Sequence, residues 1–417
     1  MLPHFIPYST QNITESDKDA LIEALFSSHL TQGCRVQRFE ENIATFLHIK
    51  HAIACNSATS ALYMAFAALK EFIRQDEFMQ DSLLADSMRL KKARDSKKYS
   101  IITTPISFVA TSNMMLANDI IPIFADITMD GNLDPKSLES YLREDTIAIC
   151  SVDYAGKSVE RDSMRAFANQ HKILWISDSS HAFGAEFYGE KIGGREINNT
   201  KTTPAQKDKD ADISIFSFHA VKPFTTCEGG VLVTQNDYFA NIARLICSHG
   251  IEKKSFHNHD CIRLGFNFRM HELSAALGIS QLQRLESFLI AREKIARFYD
   301  DYFKDNPYFY TPKIQHYQKS TRHLYPLLLD SKYLCMKESL INALITQNIG
   351  VQVHYKPIYH FLYYKQLEST LGITYPLLHN AEDFYHAQLS IPCHQNMNLD
   401  TAKQVAERIL QTFEKIC

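Results

Sequence analysis

Seven short and nearly continuous apolar runs mark the first two thirds of the chain, and segments with helical spacing of apolar residues separate them. The runs are His51 to Cys55, Ser100 to Thr103, Ile120 to Phe124, Ile147 to Val152, Ile173 to Ser177, Ile213 to Phe218 and Gly230 to Thr234. Continuous apolar strands are typical of a sheet that is buried on both faces. The alternation with helices predicts a three-layer α/β domain around a mainly parallel, mixed sheet, with ligands at the carboxyl ends of the strands.

The pattern changes near residue 271, where long helical spacing begins and continues to about Asn306. Beyond it we predict two strands and two helices, at His323 to Leu329, Gly350 to His354, Met336 to Gln347 and Asp400 to Ile416. The chain therefore divides into a large domain, residues 1–285, and a smaller α+β C-terminal domain, residues 286–417. Two polar stretches, 74–98 and 194–211, are expected to be insertions, the first an exposed helix and the second a loop.

Composition narrows the class of partner. The 44 basic and 47 acidic residues give a formal net charge of −3 without long blocks of one sign, so neither nucleic acid nor an anionic membrane is expected. No apolar run approaches the roughly 20 residues that cross a bilayer. The nine cysteines form no C-x-x-C pair, which favours a reducing cytoplasm. We expect small-molecule partners.

The segment SFHAVKPFTTCEGG places Lys222 between an aromatic-rich strand and a glycine pair. A lysine amine attacks an aldehyde only when it is unprotonated, so a poorly solvated lysine suits a Schiff base with pyridoxal 5'-phosphate. Upstream, the strand WIS ends at Asp178, and a buried carboxylate is the usual group that keeps the pyridine nitrogen of this cofactor protonated. A single lysine after a strand is more often a surface residue, and a single aspartate there is more often a turn or cap residue. The hypothesis therefore depends on the two residues together.

Further residues are candidates for contacts with the same cofactor. The run NSATSAL opens a helix after a strand, so the region of Thr59 and Ser60 offers a phosphate site, although ordinary helix capping explains the same residues. Ser217 would add a hydroxyl, Phe108 would stack on a pyridine ring unless it is a core residue, and His181 would bond the phenolic oxygen unless it is structural. His257, His259 and Asp260 lie in a polar loop and predict no metal site.

These motifs, taken together, resemble the sugar-nucleotide aminotransferase family of fold-type I pyridoxal-phosphate enzymes across nearly the whole chain. The matching segments are LTQG, the turn from Ser57 to Ser60, TPISFVAT, the Asp178-x-x-His181 pair, SFHAVK, EGG and NFRMHELSAALG. The resemblance implies an aspartate-aminotransferase-like fold and a homodimer with shared active sites. It makes Lys222 the catalytic lysine, and it implies that Asn267 reaches the phosphate of the cofactor in the partner subunit.

The resemblance also implies the substrates. The amino group of L-glutamate would pass to the keto carbon of a nucleotide-linked sugar, and segments such as HLTQG, SVDYAGKSVE and VHYKPIY favour a UDP-linked 4-keto-6-deoxy-N-acetylhexosamine. Sugar contacts would fall on Tyr8, Ser28, His29, Leu30, Thr31, Ala58, Arg322, His323, Leu324 and Tyr325. Another sugar epimer or nucleotide stays open. A sugar dehydratase of this fold would need histidine in place of Lys222, and a non-enzymatic relative would be expected to have lost Lys222 or Asp178.

Overall fold

The structure is a computed structural model that describes residues 4–75, 84, 86–194, 210–255, 257–371 and 373–416. Its strands are β1 (His51–Cys55), β2 (Ser100–Thr103), β3 (Ile121–Phe124), β4 (Thr146–Val152), β5 (Leu174–Asp178), β6 (Glu186–Phe187), β7 (Glu190–Lys191), β8 (Ile213–Ser217), β9 (Gly230–Thr234), β10 (Ile251–Lys253), β11 (His259–Cys261), β12 (Phe309–Tyr310), β13 (Gln318–Lys319), β14 (Tyr325–Leu329) and β15 (Gln388–Ile391).

The α-helices are α1 (Glu15–Leu25), α2 (Cys34–Leu47), α3 (Ala58–Arg74), α4 (Met88–Ser96), α5 (Ala110–Leu116), α6 (Arg161–His171), α7 (Asp237–Cys247), α8 (Glu272–Leu282), α9 (Leu285–Tyr302), α10 (Lys337–Thr346), α11 (Leu362–Leu371), α12 (His379–Ala387) and α13 (Leu399–Ile416). Within the described residues, no helix combines the length and apolar character needed to cross a membrane.

The seven predicted apolar runs form one sheet with the strand order β1-β9-β8-β5-β4-β2-β3. Neighbouring strands from β8 to β3 are parallel, and β9 runs antiparallel to both β8 and β1. The mainly parallel, mixed sheet predicted from the sequence is therefore confirmed. Because β9 alone is reversed within this sheet, the carboxyl ends of the other six strands meet at the same edge.

Both faces of the sheet are covered, because side chains alternate between two hydrophobic cores. On β1, Ile53 packs in a core with α3 and α7, whereas Ala52 and Ala54 pack in a second core with α2 and α9. Leu232 and Val231 on β9 divide in the same way. The alternation produces the three layers that the apolar runs predicted.

A separate core lies in the C-terminal part of the chain, where β14 pairs antiparallel with β12 and β15. The predicted strand from Gly350 to His354 was wrong: Gln352 makes only an isolated bridge to Ser390, and β15 is the true neighbour of β14. Ile6 packs on this core too, whereas the sequence predicts it in the large domain. Helix α9 contributes to two cores, so the boundary at residue 285 stays a prediction.

The two predicted insertions are only partly described. In the first, 76–83 and 85 lie outside the described residues, and the remainder contains α4, which buries Leu90 and Ala93 while most of its other side chains face solvent. The helix predicted between residues 74 and 98 is therefore present, with one face attached to the core. In the second insertion, 195–209 lie outside the described residues.

Candidate active site

The candidate residues converge at one edge of the large sheet. Asp178 and Ser217 are the last residues of β5 and β8, and the turn at Ser57 and the loop carrying Phe108 follow β1 and β2. Parallel strands end at a common edge, so residues far apart in sequence meet there. Lys222 lies five positions after Ser217, in a turn where its backbone N–H donates to His219 O at 3.0 Å.

Lys222 is partly buried, and its charge interacts with the Asp178 carboxylate and with three buried histidines. Burial lowers the pKa of its amine from 10.5 to about 8, and the nearby Asp178 carboxylate partly opposes this shift. Burial, with the Lys222 charge as the next cause, also lowers the pKa of His181 and His323 well below 6.5 and that of His354 to about 3. The amine is therefore prepared to lose its proton close to neutral pH, as the sequence hypothesis requires.

Asp178 is 5% exposed, and two donors fix its carboxylate. Thr111 Oγ1 donates to Oδ2 at 2.7 Å, and the Ser180 backbone N–H donates to Oδ1 at 3.1 Å. Hydrogen bonds of this kind stabilise the charged form of a carboxylate. The side chain thus has a fixed direction and retains acceptor capacity for a protonated ring nitrogen.

The histidines form a group of ring contacts next to the lysine. The rings of His181 and His323 have centroids 4.5 Å apart, and His181 Nε2 lies 3.1 Å from Tyr355 Oη. The Nδ1 atoms of both histidines are buried and have no hydrogen-bond partner among the described residues. Buried polar atoms without a partner are rare in folded proteins, and they mark a place where a ligand can bond.

The turn before α3 offers a second polar surface. Ser57 Oγ accepts the backbone N–H of Ser60 at 3.1 Å, so the helix-capping alternative is confirmed for Ser57. Ser60 Oγ donates to Asn56 Oδ1 at 2.6 Å, and Thr59 is half-buried. The first amides of a helix have no carbonyl within the helix to bond, so this turn can receive an anion.

Gly230 allows this turn to lie directly against β9. A Cβ at this position would lie 2.4 Å from Ala58 N and 2.6 Å from Ala58 Cα, which are both backbone atoms. Ser217 is paired with Gly230 in the sheet and is 8% exposed, with its Oγ accepting the His219 N–H at 3.4 Å. The predicted phosphate ligands are therefore near neighbours in the fold.

Phe108 and Asn267 are both on the surface of the chain. The Phe108 side chain is 61% exposed, with its ring centroid 6.4 Å from that of Tyr355, so the alternative of a core phenylalanine was wrong. Asn267 is exposed, and its carbonyl accepts Asn56 Nδ2 at 3.4 Å. Its side chain is free to face another molecule, and its contact with a partner subunit stays a prediction.

The predicted sugar contacts fall in different surroundings. The Tyr8 ring contacts that of His354, with centroids 5.0 Å apart, and the neighbouring Ser9 hydroxyl donates to Val221 O at 2.8 Å, next to Lys222. Ala58 lies in the phosphate turn. The segment Ser28, His29, Leu30 and Thr31 is exposed and borders the start of α8, where Thr31 bridges His271.

The segment from Arg322 to Tyr325 is mostly buried. The Arg322 guanidinium is bonded by Glu293 at 2.9 Å and Asp300 at 3.0 Å, so its charge is already paired. Leu324 and Tyr325 are buried, with 3% and 2% of their surface exposed. Their contact with the sugar stays a prediction. His323 alone of this segment joins the histidine cluster.

Three residues of the site were not assigned from the sequence. Thr111 fixes Asp178, Tyr355 bonds His181, and His354 lies close enough to Lys222 for the lysine charge to affect its pKa. Thr111 ends the TPISFVAT segment, and the other two belong to VHYKPIY, so only motif membership signalled them. Nothing in the spacing placed residue 355 beside residue 181.

The donor set fits pyridoxal phosphate. It combines an amine of lowered pKa, a fixed carboxylate, an exposed aromatic ring, a helix N-terminus for the phosphate and unpartnered histidine nitrogens. Fold and site together define an aminotransferase. The chain belongs to the DegT/DnrJ/EryC1/StrS aminotransferase family, whose model matches residues 11–410.

Relatives match over the full length of the chain. A UDP-4-amino-4,6-dideoxy-N-acetyl-beta-L-altrosamine transaminase of Campylobacter jejuni is 43% identical over 414 residues, covering 99% of this chain and 98% of the relative. The Helicobacter pylori transaminase of the same name is 42% identical over 407 residues, with 98% and 97% covered. A solved Helicobacter pylori aminotransferase involved in the biosynthesis of pseudoaminic acid superimposes with a TM-score of 0.86 at 42% identity, covering 99% of this chain and 100% of that one.

Proposed function

We propose that the protein transfers the amino group of L-glutamate to the 4-keto carbon of a UDP-linked 4-keto-6-deoxy-N-acetylhexosamine. The product would be UDP-4-amino-4,6-dideoxy-N-acetyl-beta-L-altrosamine, a precursor of pseudaminic acid. Full-length identity of 42–43% to transaminases named for this product supports the acceptor. The observation that carries the chemistry is Lys222, whose pKa of about 8 is set by its burial beside Asp178.

Pyridoxal 5'-phosphate is the cofactor that we propose. When bound, it supplies an aldehyde that takes up an amino group and a ring that accepts electron density. Asp178 would hold the proton on the ring nitrogen, and Phe108 would cover one face of the ring. Ser217 and the amides of the turn at Thr59 and Ser60 would hold the phosphate.

Lys222 has the proton affinity that a catalytic acid and base needs. A group with a pKa near the working pH can both accept and return a proton at useful rates. In the half-reaction with glutamate, its amine would take the proton from the carbon that carries the donor amine and pass it to the cofactor. In the half-reaction with the sugar, it would pass a proton from the cofactor to the acceptor carbon. His181, His323 and His354 have lowered pKa values, so they are neutral near pH 7 and add no positive charge beside the amine.

We propose a homodimer in the cytoplasm. The exposed Asn267 side chain beside the phosphate turn would contact the cofactor of the partner subunit, and the exposed Phe108 ring lies at the same edge of the sheet. All eight cysteines in the described part of the chain are unpaired, which agrees with a reducing compartment.

The proposal is tested by incubating the purified protein with L-glutamate and epimers of the UDP-linked 4-keto sugar, with products identified by NMR. We expect amination at C4 by the wild type and none by Lys222→Arg. Lys337→Arg is the matched control, because Lys337 is another partly buried lysine with a pKa lowered to about 8, bonded instead to Tyr385 O at 2.5 Å.

A Lys222→Arg protein that aminates the sugar at the wild-type rate would contradict the role of the lysine. Amination of only a different epimer, or only of a dTDP-linked sugar, would replace the proposed acceptor with the alternative retained from the sequence. Near-UV and far-UV circular dichroism should show that both variants keep the native fold.

A further inference from the structure

Glu272, the first residue of α8, carries a fully buried carboxylate with 0% exposure. Its Oε1 accepts the backbone N–H of Gly33 at 3.1 Å and of Val36 at 3.3 Å, and Oε2 accepts that of Arg35 at 2.9 Å. No ion pair among the described residues involves it. The N-terminus of α2 therefore satisfies the carboxylate, through amides that point toward it and a favourable helix dipole.

The contact leaves no free space. A Cβ on Gly33 would lie 2.7 Å from Glu272 Oε2 and 2.8 Å from Cδ. The backbone N–H of Glu272 also donates to Leu30 O at 3.0 Å, and Thr31 forms a bridge with His271. The chain from Leu30 to Val36 is thus wrapped closely around a single side chain.

Helix α8 also holds α1, the helix that precedes this segment. Asp17 of α1 is fully buried and accepts hydrogen bonds from Ser280 Oγ at 2.7 Å and Gln281 Nε2 at 2.9 Å, both on α8. Arg284, just beyond α8, pairs with Asp17 as well. Helix α8 therefore fixes both α1 and α2. The exposed segment Ser28–Thr31 lies between these two anchors.

Helix α8 is also connected to the phosphate turn. Immediately before it, Phe268 O accepts the backbone N–H of Asn56 at 2.7 Å, and Arg269 bridges Cys55. The stretch from residue 267 to residue 284 thus contacts the phosphate turn at one end and both helices that flank Ser28–Thr31 along its length. Its first helical residue sets where the exposed segment lies relative to the cofactor turn.

We infer that Glu272 is a positioning residue for the sugar nucleotide, acting through Ser28–Thr31 without touching the substrate. The inference rests on the proposed function, in which this segment contacts the nucleotide sugar. Binding groups must be held close to their productive geometry, and an exposed segment without its own core needs a support. Glu272 supplies this support on the C-terminal side of the segment, where it accepts the backbone N–H groups of Gly33, Arg35 and Val36.

The test compares Glu272→Gln with the wild-type holoenzyme. Glutamine keeps one acceptor oxygen but turns an NH2 group toward backbone N–H donors, so the anchor loses at least one bond. We expect the KM for the sugar nucleotide to rise about tenfold or more, since a displaced segment loses charge-assisted or polar contacts. The glutamate half-reaction, followed by the cofactor absorbance change, should keep its rate within about twofold because the histidine and lysine cluster is unchanged.

Glu40→Gln is the matched control. Glu40 lies on the adjacent helix α2, and its carboxylate also accepts a backbone N–H, that of Ala54 at 2.8 Å, but this bond attaches β1 and not the exposed segment. The Glu40→Gln substitution should leave the KM for the sugar nucleotide near the wild-type value. An equal rise in both variants, or a folded Glu272→Gln protein with wild-type KM, would overturn the inference.

A second measurement uses the wild-type holoenzyme alone, so it does not depend on the folding of a variant. Hydrogen exchange of residues 28–36 is compared with and without UDP as the probe. We expect slow exchange at Gly33, Arg35 and Val36 throughout, and added protection over Ser28–Thr31 with UDP. Absence of both would refute the positioning role. The KM comparison uses whichever nucleotide sugar the wild-type protein aminates. Failure of the proposed acceptor is therefore distinguishable from failure of the positioning role.

Discussion

The amine of Lys222 should titrate near pH 8 in the cofactor-free protein. Burial is the main cause, since it lowers the pKa from 10.5 to about 8 against the opposing charge of Asp178. At pH 7.5 about 24% of such an amine is neutral, compared with about 0.1% of an amine with the ordinary value. Reaction with an electrophile, which only the neutral amine undergoes, should therefore be about 200-fold more probable per encounter at this position than at an unshifted lysine.

The assay is trace labelling of the cofactor-free protein with acetic anhydride between pH 6 and pH 11. Peptide mass spectrometry then gives the labelled fraction at each lysine. Lys403, 61% exposed on α13, is the internal reference, and Lys337 should follow Lys222 because burial lowers its pKa to about 8 also. Rates are compared as functions of pH and not as absolute values, so limited access to the site does not affect the midpoint.

The Asp178→Asn variant adds a test of the sign. The carboxylate raises the lysine pKa, so its removal should move the midpoint of Lys222 labelling below pH 8 while the reference lysine is unchanged. If Lys222 titrates with the same midpoint as Lys403, the burial argument is refuted. An upward shift in Asp178→Asn would refute the assigned electrostatic pairing.

Two further results are expected. Gly230→Ala places a Cβ 2.4 Å from Ala58 N, so the phosphate turn must move and the dissociation constant for pyridoxal phosphate should rise at least about tenfold in an absorbance titration. Burial lowers the pKa of His354 to about 3, so only the unfolded chain gains its proton as pH falls from about 6.5. The His354 contribution to the free energy of unfolding should fall by about 2.5 kcal/mol between pH 7 and pH 4.5, so urea unfolding should depend less on pH in His354→Gln than in the wild type.

The strands of the large sheet were predictable from the sequence because a strand that is buried on both faces is a nearly continuous apolar run. All seven runs became strands, with ends that agree within about one residue, and the helices at Lys337–Thr346 and Leu399–Ile416 also matched. The C-terminal part was less predictable. Gly350 to His354 looks like a strand, yet the Gly350 N–H donates to Ile6 O, the Ile6 N–H donates to Asn348 O, and β15 takes the place beside β14.

Candidate site residues were predictable where chemistry requires a particular side chain. Lys222 and Asp178 follow from the needs of one cofactor, and the structure places them within electrostatic range of each other. The sugar contacts stay predictions, and the sequence did not show that Arg322 is paired with Glu293 and Asp300 in the fold. Whether a charged side chain is available to a ligand depends on neighbours from other elements.

The sequence by itself determined where the strands lie, which residues follow them and which side chains can form an imine or hold a ring proton. These properties depend on local periodicity and on the chemistry of single groups. Tertiary structure decided that His181, His323 and His354 surround Lys222, that Tyr355 bonds His181 and that Glu272 supports the segment before α2. Proton affinity and orientation depend on burial and on charges from distant parts of the chain, which only the folded arrangement brings together.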